Sequence, residues 1–232
     1  MKKIPVILIA LFFTLPLMAQ KNKGSDTTMV WSIYRKAVLF NDLDVAKNAL
    51  FQIMAMQPAN KMVYDSLAHI YFRMGGYEQA IYAVDQAVPN GALKEIKAYS
   101  YRNLGDIKSA LPIFEQLYEE TGSPENGYQV ATMQFTMKRY GECAITAAKV
   151  ASHADAKTKK VIITTEQGDN MNVSYFAAAE NLKGVMFREI GKNELAIEAF
   201  QKALADNPDF TLAKKNLEAV KAAGETAPKP MK

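Results

Sequence analysis

A small side chain recurs along this chain at near-constant intervals. Ala46, Ala80, Ala110, Cys143 and Ala196 follow one another at separations of 34, 30, 33 and 53 residues. Around each lie two segments with apolar or small residues at i, i+3, i+4 and i+7, the pattern of one helix face. In the first unit these are Val30, Ile33, Tyr34 and Ala37, then Ala46, Ala49, Leu50 and Ile53. In the second they are Tyr64, Leu67, Ala68 and Tyr71, then Ala80, Val84 and Ala87. A helix pair of this kind buries one face and leaves another uncovered; a neighbouring pair covers it, so the repeats must stack into one continuous core. The small residue belongs where two helices cross closely. Gly75, Gly105 and Gly191 stand at the ends of first helices, where a left-handed residue is commonly required. Lys138 stands at that place in the fourth unit. Pro58 and Pro208 stop second helices, because proline has no N–H and clashes inside a helix.

The spacing places five helix pairs at about residues 27–60, 61–90, 91–123, 124–151 and 177–208. A further helix over 209–223 has the features of a terminal cap: Leu212, Leu217 and Val220 can cover the last apolar face while Lys214, Lys215 and Glu218 meet water. The tail 224–232, ETAPKPMK preceded by glycine, is expected to be disordered. The long fourth interval holds an insert over 152–176. Within it Val161, Ile163 and Thr165 fall on one face, and Gly168 permits a turn. Met171, Val173 and Tyr175 then alternate again. This reads as a β-hairpin with a four-residue loop, the alternative being an irregular loop. A hairpin is marginal alone and must lie against the helices or a partner.

These units resemble the tetratricopeptide repeat (TPR) family. Its signature residues are matched by Val30, Ile33, Tyr34, Ala37, Ala46, Leu50, Ile53 and Pro58 in the first unit. The second matches with Tyr64, Leu67, Ala68, Tyr71, Ala80, Val84 and Ala87, and the third with Ala98, Tyr101, Ala110, Phe114 and Leu117. The fifth matches with Gly184, Phe187, Ala196, Phe200, Ala203 and Pro208. The fourth is degenerate: Val130, Ala131, Gln134, Cys143, Ala147 and Val150. The resemblance implies an all-α fold, a right-handed α-solenoid of about five helix pairs with a C-terminal capping helix, here carrying the hairpin insert.

Residues 1–19 read as an export signal. Lys2 and Lys3 precede an uncharged apolar run over 4–18, shorter than the ~20 residues a membrane-spanning helix needs. Ala19 suits cleavage before a flexible stretch over 20–26; an uncleaved anchor is the alternative. The expectation is an exported protein, periplasmic in the first instance with secreted or envelope-associated as the alternatives, and without stable membrane insertion once cleaved. Removal of Lys2 and Lys3 from 28 basic residues leaves 26 against 24 acidic ones. Such balance gives no reason to expect nucleic acid. Cys143 is the single cysteine, so no internal disulfide forms and stability must come from packing; its place in the repeat is a packing position. His69 and His153 are the only histidines and lie in different repeats without partner cysteines. No metal site, cofactor motif or catalytic constellation is legible, and the chain does not read as an enzyme.

The resemblance further implies that first helices line a concave, ligand-binding face. Carried over by register, that face takes Trp31 and Arg35 from the first unit, and Asp65, His69, Phe72 and Arg73 from the second. The third gives Glu95, Tyr99, Arg102 and Asn103, and the fourth Tyr128, Thr132 and Phe135. The fifth gives Asn181 and Arg188. Aromatic residues and arginine are the types enriched at binding hot spots, although each can equally serve packing or surface pairing. The expected function is a protein–protein interaction module that holds a protein or peptide in its groove, as a scaffold or assembly factor of the cell envelope. The alternative is a carbohydrate- or peptidoglycan-binding accessory protein.

Overall fold

The computed structural model describes residues 23–165, 168 and 170–226. The segment 1–19 read as an export signal, residues 20–22 and the end of the tail over 227–232 lie outside the described residues, as do three residues of the hairpin loop, 166, 167 and 169. The described residues form eleven helices and one two-stranded sheet. The helices are α1 (Lys23–Leu39), α2 (Leu43–Met56), α3 (Met62–Arg73), α4 (Tyr77–Gln86), α5 (Gly91–Asn103), α6 (Ile107–Thr121), α7 (Pro124–Thr136) and α8 (Tyr140–Ser152). The strands β1 (Lys160–Thr164) and β2 (Asn170–Ser174) follow, then α9 (Tyr175–Glu189), α10 (Asn193–Asp206) and α11 (Thr211–Thr226). The chain divides into two compact units, Met1–Val63 and Tyr64–Lys232.

In the first unit α1 packs on α2. Val30, Ala37, Ala46, Ala49, Leu50 and Ile53 are buried. Ile33, expected among them, is 40% exposed; Thr27 takes a buried place instead and donates to Met56 Sδ at 3.8 Å. Helix α1 begins at Lys23, so residues 23–26 are helical rather than part of a flexible leader.

The second unit holds α3 to α11. From α4 onward each helix packs on the next, and α7 also meets α9, as α9 meets α11. The small residues that first defined the repeat, Ala80, Ala110, Cys143 and Ala196, are fully buried. Close crossing also explains two glycines. A Cβ at Gly184 would lie 2.5 Å from the Phe200 ring, and one at Gly127 would lie 2.7 Å from Val150 Cγ2. Helix α11 runs to Thr226. It caps the stack with Ala213 and Val220 buried, together with Phe210 just before its first turn.

The ends of the first helices share one geometry. The N–H of Asp42, Gly76, Asp106, Arg139 and Lys192 each donates to a carbonyl five residues back: Ala37, Tyr71, Tyr101, Gln134 and Phe187, at 2.8–2.9 Å. This closure needs a left-handed residue just before the donor. Gly75, Gly105 and Gly191 fill it with φ of 77°, 78° and 72°. Asn41 and Lys138 fill it with φ of 58°, so the degenerate fourth unit keeps the turn without its glycine.

The insert is the expected hairpin. Strands β1 and β2 pair antiparallel, with Val161 opposite Val173, Ile163 opposite Met171 and Thr164 opposite Asn170. Two residues differ from expectation. Thr165 lies beyond the last pair, and Tyr175 begins α9, where the Ser174 hydroxyl accepts from Ala177 N–H at 2.9 Å. A good N-cap thus ends the strand. Val161, Ile163, Met171 and Val173 pack among Ala177, Ala178, Phe210 and Ala213, which answers the need of a lone hairpin for a surface to cover.

Candidate functional site

Helices α5 and α7 and strand β1 border an open cavity of about 600 Å³. This lies within the size range of ligand pockets, ~300–1,000 Å³. Its lining brings together four of the residues placed on the binding face from sequence: Tyr99 and Arg102 from α5, and Tyr128 and Thr132 from α7. The periodicity of each helix does this, since 99 and 102, like 128 and 132, are neighbours on one face. Ile107, Gln129, Met133, Thr136 and Val161 to Ile163 complete the wall.

Arg102 is the one charged side chain in that lining. Its guanidinium lies over the Tyr99 ring, 5.4 Å from the centroid, a cation–π arrangement. It donates to Gln129 Oε1 at 2.9 Å. Both partners are neutral, and among the described residues no carboxylate pairs with it. The Tyr99 ring meets Phe114 edge-on at 4.9 Å, and burial raises its hydroxyl pKa against the lowering pull of Arg102. Tyr128 stands edge-on to Tyr175 at 5.8 Å. Burial pushes the Tyr128 hydroxyl up to about 12, so it stays a neutral donor. The Thr132 hydroxyl is committed to the Tyr128 carbonyl at 2.6 Å.

The remaining expected residues do not join this cavity. Asp65 and His69 sit together on α3, with Nε2 3.7 Å from the carboxylate, and Asp65 accepts from Asn90 at 3.0 Å. Phe72 packs edge-on with Tyr77 at 5.8 Å, and Phe135 leans on Tyr140 at 5.8 Å. Arg73, Glu95 and Asn103 are exposed beside them in sequence but outside the lining. Asn181 is buried and accepts from Asn216 of α11 at 3.0 Å. It ties the cap to α9. Arg188 pairs with Glu189 at 3.2 Å. In the first unit Trp31 is half-buried and edge-on to Tyr34 at 5.5 Å, and Arg35 is exposed.

Gln129 and the three β1 residues were not legible as site residues. Gln129 directly follows Tyr128, and its role emerges only through its bond to Arg102. The strand was legible; where it docks was not, because no pattern within the insert specifies which helices it crosses. Cys143 takes no part. It is buried among Ala131, Ala147, Tyr175 and Ala179, and burial pushes its thiol up to about 11, which suppresses the thiolate a nucleophile needs.

No protein-family model matches the chain, and no curated protein matches it. Solved structures do. One is YrrB, described as a TPR protein with an unusual peptide-binding site, at 18% identity and a TM-score of 0.65, covering 80% of this chain and 88% of that one. Another is MamA, at 18% identity and a TM-score of 0.63, covering 89% of this chain and all of that one. A tetratricopeptide repeat protein from Parabacteroides merdae ATCC 43184 aligns at 18% identity and a TM-score of 0.66, covering 87% of this chain and 75% of that one. The fold is therefore that of a tetratricopeptide repeat array, all-α apart from the hairpin.

Proposed function

We propose that this chain is an exported, non-enzymatic interaction module of the cell envelope that holds a segment of a partner protein against α5, α7 and β1. One observation carries the reading: four side chains placed on the binding face by register converge on one cavity, with a single arginine whose partners are neutral. An exposed guanidinium with no carboxylate of its own is a ready receptor for one from outside. The peptide-binding site named for YrrB is consistent with this use of the fold. The export signal over 1–19 supports an envelope location, periplasmic in the first instance.

The carbohydrate reading has less support. Sugar binding wants a free aromatic face, whereas Tyr99 carries Arg102 over its ring and Tyr128 is pressed edge-on against Tyr175. Capture of partners by crosslinking in intact envelopes, with the full chain and with Arg102→Ala, tests the proposal. Loss of the main crosslinked protein in the variant is the expected result. Identical crosslinked proteins from both chains would refute it, and recovery of glycan in place of protein would favour the carbohydrate reading.

A further inference from the structure

The way β1 borders the cavity says more than that it is a wall. Successive side chains of a strand point to opposite faces. A strand that offered only a face to the cavity would line it with alternate residues. Here three consecutive residues, Val161, Ile162 and Ile163, line it, so β1 presents its edge. The other edge of β1 is taken by β2 in a sheet of two strands. Ile163 and Met171 pair across the strands, and Met171 reaches Thr211 of α11, so β2 lies on the side of the cap and β1 on the side of α5 and α7. In an antiparallel pair alternate residues direct N–H and C=O away from the partner strand. The cavity-side edge of β1 thus carries a row of main-chain donors and acceptors that no strand among the described residues satisfies.

The insert is also held firmly enough to act as a template. Tyr175 N–H donates to the Lys159 carbonyl at 3.2 Å, and Phe176 N–H to the Ala156 carbonyl at 2.9 Å. Lys159 Nζ pairs with Glu125 of α7 at 2.9 Å. Charge then selects the occupant. Arg102 borders the cavity, and Lys160 starts β1; neither has a carboxylate partner among the described residues. The cavity itself contributes no acidic side chain.

The geometry points to strand addition: an extended, acidic segment of the partner protein pairs with the free edge of β1 as a third strand and sets a carboxylate on Arg102. This rests on the interaction-module reading above and names how that site is used. The main chain supplies affinity and the carboxylate supplies selection, a division expected for peptides added to a sheet edge.

The probes are seven-residue peptides of alternating Thr and Val, blocked at both ends, with one Asp moved through each position, titrated against the full chain by fluorescence anisotropy. Binding is expected for particular Asp positions, and Asp→Asn in the peptide, or Arg102→Gln in the protein, weakens it about tenfold. N-methylation of one alternating set of peptide amides abolishes binding, while N-methylation of the other set leaves it nearly unchanged, because only one set faces β1. Exchange of the Val161 to Ile163 amides slows in the complex. Equal tolerance of both N-methylation patterns overturns strand addition, and equal binding of the Asn peptides overturns the carboxylate role. Failure of every peptide, with Arg102→Ala still losing its crosslinked envelope partner, overturns this inference and leaves the interaction-module reading standing; failure of both experiments removes both.

Discussion

Lys138 holds a backbone conformation that suits glycine, with φ of 58°. A left-handed residue with a Cβ costs roughly 1–2 kcal/mol, and the equivalent turns at Gly75, Gly105 and Gly191 avoid that cost. Lys138→Gly should therefore stabilise the protein by about 1 kcal/mol, after the extra chain entropy of glycine in the unfolded state is deducted. Urea unfolding followed by circular dichroism checks this; an unchanged midpoint would mean that the turn relaxes without strain. Gly184 gives the opposite case. Its missing Cβ leaves room for the Phe200 ring, which a methyl would meet at 2.5 Å. Overpacking of this kind costs about 1–3 kcal/mol, so Gly184→Ala should lower the midpoint clearly while Gly141→Ala, with nothing near its Cβ, should not. Both positions were legible in part. The repeat register marked Gly184 as special and Lys138 as out of pattern. Register could not say that Ile33 turns outward or that Asn181 turns towards Asn216, because periodicity assigns a face and the neighbouring helix decides what covers it.

The hairpin is the element on which function turns, and its anchor is electrostatic as well as apolar. Burial would raise the Glu125 carboxyl, but the hydrogen bond from Lys159, a main-chain hydrogen bond, the Lys159 charge and a hydrogen bond with Ser123 together outweigh it and hold the pKa below its ordinary value of 4.5. A depressed folded pKa contributes stability that is present above the unfolded value and is lost as pH falls through the folded one. The α7–insert tie should thus loosen below about pH 4.5, once the carboxyl takes its proton. The Lys159 pKa is raised by the same hydrogen bond, so this partner stays charged throughout that range and adds no second transition. Amide exchange in β1, corrected for intrinsic rates, should rise on acidification in the native protein. In Glu125→Gln it should be faster at neutral pH and insensitive to the change. Equal pH profiles for the two proteins would show that apolar packing of Val161 and Val173 suffices to hold the insert. The alternation of the insert made its two strands legible, but the expected four-residue loop is five residues long, 165–169, so the pairing is shifted by one. The docking of β1 beside α5 and α7 depends on neighbours 25 to 64 residues away in sequence, and no local pattern encodes them.

At the scale of the molecule, a repeat array is stabilised by nearest-neighbour interfaces, so an end without a cap leaves an apolar face in water. In the Tyr64–Lys232 unit that end is covered by α11. Its Val220 and Leu217 pack on Ala196 and Phe200, and its Ala213, with Phe210 just before it, packs on Ala177 and Ala178 of α9 and Val173 of β2. Each large side chain buried this way is worth roughly 1.5–3 kcal/mol, and the Asn216–Asn181 bond adds to them. Truncation after Pro208 should then do two things that simple shortening of an array does not. It should cost several kcal/mol of stability, about the sum of two or three buried apolar side chains. It should also loosen β2, since Met171 and Val173 lose their cover, and with it the edge that β1 offers to a partner. Thermal unfolding and amide exchange across the hairpin measure the two effects separately. Val220→Ala serves as the graded control: it leaves Phe210 over the hairpin, so it should lower stability by ~1–3 kcal/mol, twice the value typical of one buried methyl group, without changing exchange in β2. A truncated chain whose hairpin exchanges as slowly as that of the full chain would mean that α9 alone positions the insert, and the cap would then serve stability without bearing on the binding edge.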